Sequence, residues 1–140
     1  VRLSPHFTLK ELTASQTASR KGIKNEPNGP EVAALQLVCY NILEPVREHY
    51  DKPFSPSSGY RCLELNREIG SKDRSQHIKG QAVDFEIPGI ENKELADWIE
   101  ENCQFDQLIL EFHNPEEPNS GWIHCSFVNL LDNRKEYFSV

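Results

Sequence analysis

Gln81-Ala82-Val83-Asp84-Phe85-Glu86-Ile87 alternates between polar and apolar residues as a half-buried strand does. Val83, Phe85 and Ile87 share one face and are expected in the core, which leaves Ala82, Asp84 and Glu86 on the other. The segment Trp122 to Val128 reads the same way, with Ile123, Cys125 and Phe127 inward and Trp122, His124 and Ser126 opposite. A strand over Gln107 to Phe112 lies between them in sequence. If Leu108 and Leu110 face the core, Asp84, Glu111 and His124 converge on one exposed face. His77 sits in the loop entering the first strand, and Gly80 lets that loop turn tightly enough to fold His77 back over Asp84.

Outward from the strands, the chain opens with a Thr8-x-x-Glu11 capping box, so a short helix is expected from Thr8. Thr13 to Pro30 is polar, carries Gly22, Pro27, Gly29 and Pro30, and reads as an extended surface loop. Val32, Leu35, Val38, Cys39, Ile42, Leu43, Val46 and Tyr50 then recur at helical spacing, with Pro45 expected to kink or break that helix. Pro53 to Ser57 is read as a short strand and Leu63 to Ile69 as a short helix closed by Gly70. A helix from Asn92 to Asn102 takes Asn92 as its N-cap, and Tyr137 to Val140 adds a last strand. Helices first, then strands with one helix between, give α+β: a small antiparallel sheet with helices packed on one face and the site on the opposite face.

The chain has 140 residues, 37% hydrophobic and 26% charged, which suits one packed domain rather than a disordered segment. Its formal net charge of −7 argues against binding nucleic acid through phosphates. No apolar run approaches the roughly 18 residues of a membrane span, and Val1 to Glu11 lacks the apolar core of a signal peptide. There is no Met, even at the start, which leaves a removed leader open. Four cysteines form no C-x-x-C pair. Cys39, Cys103 and Cys125 fall on apolar phases, so buried free thiols and a protein folded in a reducing cytoplasm are expected.

Two imidazoles and a carboxylate, His77, Asp84 and His124, leave a fourth position for water around a zinc ion. Glu86, on the same face, is an alternative to Asp84. The motifs add a resemblance. Ser58-Gly59-Tyr60-Arg61, then Ser75-Gln76-His77-Ile78-Lys79-Gly80-Gln81-Ala82-Val83-Asp84, then Trp122-Ile123-His124 resemble, in content and order, the zinc D-Ala-D-Ala carboxypeptidase and murein endopeptidase family. Phe7-Thr8-Leu9-Lys10-Glu11-Leu12 and Leu43-Glu44-Pro45-Val46-Arg47 look like its compact phage-type, endolysin-like branch.

The resemblance implies zinc on His77, Asp84 and His124. It implies that Arg61 binds substrate or the tetrahedral oxyanion and that Ser75 bonds the substrate, whereas the pattern of residues alone makes Ser75 a turn former. Trp122 is a candidate wall of the cleft. Many relatives carry an acid three residues before the last His, where this chain has Gly121. Glu111, His113, Glu116 and Glu117 are the nearest replacements, and Glu111 is preferred because strand pairing sets it beside His124. In the expected reaction Glu111 takes a proton from a zinc-activated water and passes it to the leaving amine.

The expected function is therefore a monomeric, zinc-dependent peptidase that cleaves peptidoglycan stem peptides or crosslinks, with no nucleic-acid or membrane partner. Carboxypeptidase, L-alanyl-D-glutamate endopeptidase and crossbridge endopeptidase remain open, with loops Ser71–Arg74 and His113–Gly121 as determinants. The alternative is a non-catalytic, zinc-stabilised wall-binding or virion structural domain. For a phage lysin, the host cytoplasm is the expected place of folding.

Overall fold

A computed structural model describes all residues, 1–140. Strands β1 (Arg2–Ser4) and β2 (Phe7–Thr8) form a small hairpin ahead of helices α1 (Leu9–Thr13) and α2 (Gln16–Lys21). Helix α3 (Gly29–Val38) runs through a π turn (Cys39–Leu43) into α4 (Glu44–Tyr50). Helix α5 (Leu63–Glu68) and a 3-10 turn (Gln76–Lys79) precede β3 (Ala82–Phe85). Helix α6 (Asn92–Asn102), β4 (Gln107–Glu111), β5 (Trp122–Ser126) and β6 (Glu136–Ser139) complete the chain.

The main sheet has the order β3-β5-β4-β6. β5 is antiparallel to both neighbours, while β6 runs parallel to β4. The fold is α+β, as the order of elements predicts, with a small and mainly antiparallel sheet. Its strand faces divide as the alternation requires: Val83, Phe85, Leu108, Leu110, Ile123 and Cys125 are all buried, in one cluster with Leu35, Val38, Ile42 and Val46 of the α3–α4 rod and Leu95 and Ile99 of α6. Cys39, Cys103 and Cys125 are buried free thiols, and burial pushes the first two up to about 12 and about 11. Cys62 is only partly buried; its Sγ caps α5.

Four local expectations need correction. Thr13 to Pro30 contains α2, which Ser15 caps at its start and Gly22, at φ 67°, ends. It was illegible because only Ala18 of that helix is buried, so no apolar period marks it. Pro45 neither breaks nor stops the rod. The helix widens one turn earlier, where the Glu44 N–H bonds Cys39 O five residues back, and this makes room for the proline ring. Pro53 to Ser57 is not a strand, although Ser58 bridges Asp84 at the sheet edge. Asn92 is not the N-cap of α6. Glu91 holds that position, and the Asn92 side chain is turned inward to bond Glu86, Ser120 O and Gly121 O.

Candidate metal and peptidase site

His77 is fixed from three directions. Ser75 Oγ accepts from the His77 N–H at 3.2 Å and starts the 3-10 turn. The His77 carbonyl accepts from Arg61 N–H at 3.1 Å. Its ring Nδ1 donates to Gly59 O at 2.7 Å. That last bond places the ring proton on Nδ1, so Nε2 carries a free lone pair. Two glycines permit this clamp. A Cβ on Gly59 would lie 2.3 Å from Leu12 O, and one on Gly80 2.5 Å from Glu31 O, with Gly80 itself at φ 72°. Tyr60 is buried in the main hydrophobic core. The Ser-Gly-Tyr-Arg segment thus orients His77 through its backbone as well as supplying Arg61.

Asp84 and His124 are direct cross-strand partners on β3 and β5. His124 Nδ1 donates to Asp84 Oδ1 at 2.9 Å, and His77 Nε2 lies 3.4 Å from the same oxygen. The two imidazoles stand edge to face with centroids 5.2 Å apart. Burial alone would raise the Asp84 carboxyl, but the His124 hydrogen bond, with His77 close by, outweighs it and holds the group well below the usual carboxylate range. Glu86, the alternative ligand, is exposed and bonds Asn92 instead.

This trio fits a metal. One donor atom from each residue lies within 4.8 Å of the others, and donors around one tetrahedral zinc are spaced roughly 3.4 Å apart. The buried His77 Nε2 makes no hydrogen bond. A buried ring nitrogen with an unused lone pair, aimed at a carboxylate, is costly unless something positive is held there. Ligation through His124 Nδ1 would displace the proton shared with Asp84, since a ligating imidazole is neutral.

The model of the Peptidase M15 family matches residues 5–126, which takes in the trio and every element from β2 to β5. The chain belongs to the peptidase M15 family. No curated protein matches it. M15 peptidases are zinc-dependent, and this member carries the His-Asp-His group on which such a metal can sit.

Glu111 and Arg61 are charged neighbours of this trio. Glu111 pairs with Trp122 across β4 and β5, one step along the sheet from the Ile109–His124 pair and on the same face. Burial, and then the Asp84 charge, raises its carboxyl above the ordinary value. The nearby His124 and the Trp122 N–H, which makes no full hydrogen bond, pull only partly the other way. Burial lowers the Arg61 guanidinium, opposed by the Asp84 and Glu111 charges. Its Nε is buried without a partner.

The missing acid at Gly121 has a steric cause. Gly121 adopts φ 74°, and a Cβ there would lie 2.0 Å from Glu111 O and 2.7 Å from the Phe112 carbonyl carbon. No side chain fits that position, and the nearest carboxylate comes from the paired strand instead. The other candidates are elsewhere: Glu116 and Glu117 are exposed, and His113 Nδ1 donates to Ser120 O at 3.3 Å within its own loop. Phe112 breaks the strand alternation. Its φ of 53° turns it out of the core, 67% exposed, with its ring 5.1 Å from that of Trp122.

Sequence reasoning missed Asp106. Its side chain is 2% exposed and accepts from Arg134 N, Nε and Nη2 at 2.7–2.9 Å and from Gln76 Nε2 at 3.0 Å. It therefore ties the turn carrying His77 to the end of the sheet. Asp106 follows the apolar Phe105 and immediately precedes β4, a place where a lone acid reads as a solvated strand end. The Arg134 bonds, against the opposing effect of burial, hold its carboxyl below the ordinary range. Its stabilisation is therefore complete above the unfolded value near pH 4 and is lost as the pH falls through the lower folded value. Asp106→Asn is expected to cost about 2 kcal/mol at pH 7. Melting curves at pH 7 and pH 3 should show the gap to wild type narrowing in acid.

Proposed function

We propose that this M15 member is a zinc peptidase of bacterial peptidoglycan, cleaving a stem peptide or crosslink in the manner of a phage lysin. The observation that carries the reading is the inward-facing, unpartnered His77 Nε2 beside Asp84 and His124, with a free carboxylate and a free guanidinium on the same side of the sheet.

His77 Nε2, Asp84 and His124 Nδ1 would hold the zinc. Zinc held there supplies Lewis acidity, easing the deprotonation of water and polarising the scissile carbonyl. Glu111 takes the proton of the attacking water as the new C–O bond forms. Its raised affinity for a proton suits a group that must also release it near neutrality. Arg61 presents fixed N–H donors to the negative oxygen that develops on the carbonyl. When the C–N bond breaks, Glu111 returns the proton to the leaving amine. Trp122, with Phe112 tilted against it, walls one side of the cleft, and the Ser75 hydroxyl retains a donor for the substrate after accepting from His77 N–H.

Digestion of purified sacculi tests the reading, with zinc-loaded protein beside a chelated control and products read by mass spectrometry. New amino groups in the zinc-loaded digest alone are expected, and the fragment masses identify the bond. Intact muropeptides together with retention on the sacculi would replace the peptidase reading with a wall-binding one.

A further inference from the structure

A groove of about 1250 Å³ runs away from Arg61 between the α1–α2 region and the Ser57–Ser58 segment. Its lining is unusual for a chain of net charge −7. Lys10, Arg20 and Arg61 line it, and no Asp or Glu does. None of the three cations has an ion-pair partner, whereas the neighbouring Lys21 and Arg67 are paired with Glu68 and Asp73. Serines and threonines, Ser57 and Ser58 among them, recur along the rest of the wall, beside apolar surface from Ile23, Leu65 and Ile69. Ser57 N–H and Ser58 N–H both bond Asp84 O, so this wall is continuous with the metal site.

A concave surface of one sign concentrates field and draws in the opposite charge. Phosphate polymers are disfavoured as occupants by the overall negative charge, which would repel them beyond the groove. A short peptide with one or two free carboxylates fits better. Its charges meet the cations locally, its backbone can bond the serine and threonine hydroxyls, and its aliphatic parts can rest on Ile23, Leu65 and Ile69.

We propose that this groove is the subsite for a carboxylate-bearing part of the peptide substrate, with Lys10 and Arg20 as its charge receptors. The inference rests on the peptidase reading above, and it specifies the substrate class as an acidic peptide rather than its amidated counterpart. Arg61 joins the subsite to the reacting centre, and Lys10 and Arg20 set affinity rather than chemistry.

The test uses two synthetic stem peptides that differ only in whether the side carboxylates are free or amidated. Calorimetry of zinc-loaded protein measures their binding, and turnover is followed in parallel. Wild type is expected to bind the free acid about tenfold more tightly, a preference that fades in 1 M salt. Lys10→Gln with Arg20→Gln should remove that preference, raise KM for the free acid about tenfold and leave kcat and the melting temperature near wild type. Equal binding of the two peptides by wild type, or an unchanged preference in the double variant, overturns the subsite. Cleavage of neither peptide with the binding preference intact would instead count against the peptidase reading and leave the subsite standing.

Discussion

Glu111→Gln is expected to reduce turnover by about 10²–10⁴-fold while zinc still binds. Gln keeps the size and polar shape of the side chain on β4, so the sheet and its Trp122 partner should be undisturbed. What it loses is the capacity to accept a proton. Nothing nearby replaces it: Glu116 and Glu117 lie in the exposed loop, His113 is bonded to Ser120 O, and Gly121 admits no side chain. Zinc content measured by metal analysis should match wild type, and kcat should fall far more than KM changes. Wild-type turnover in this variant would remove Glu111 from the reaction and make His113 the next candidate.

His124→Ala acts one layer deeper. It removes one of three donors, and it also strips Asp84 of its shortest partner at 2.9 Å. Affinity for zinc should fall by at least about 100-fold, the upper range for losing even a supporting residue around a metal. Thermal stability gives a second reading. At a free zinc concentration 100 times its dissociation constant, wild type gains about 2.7 kcal/mol, or on the order of 10 °C for a domain of this size. The variant should gain little at the same concentration. Full zinc occupancy in His124→Ala, or a wild-type zinc response, would refute the ligand assignment.

Two kinds of information made the site legible in sequence. Alternation on β3 and β5 put Asp84 and His124 on one face because side chains on a strand repeat every two residues, and the observed register makes them direct partners. The motif strings then selected His77 as their companion. Glu86 shares that alternation with Asp84, and period alone had no means of choosing between them. The structure shows Glu86 exposed and bonded to Asn92, while Asp84 meets both imidazoles.

Other features had no local signature. The second helix lies in a polar segment with one buried residue, so its formation depends on a capping serine and a left-handed glycine rather than on an apolar stripe. Pro45 follows the usual rule of disrupting a regular α-helix, yet a π turn absorbs it because the rod is packed against the sheet by Leu35, Val38, Ile42 and Val46. Asp106 resembles a strand-end acid until Arg134 and Gln76, both far from it in sequence, arrive to bond it.

The sequence by itself determined the α+β class, the faces of the three central strands, the resemblance to zinc peptidases and the His77–Asp84–His124 group that could hold a metal. These follow from period, spacing and motif, all of which are written along the chain. Only the tertiary structure decided which nitrogen of His77 is free, why an acid is excluded at Gly121, and that Lys10 and Arg20 share a groove with Arg61. Each of those depends on atoms distant in sequence meeting within a few ångströms: the Gly59 carbonyl on an imidazole, the Glu111 carbonyl over a glycine, and cations from two helices facing one space free of acids.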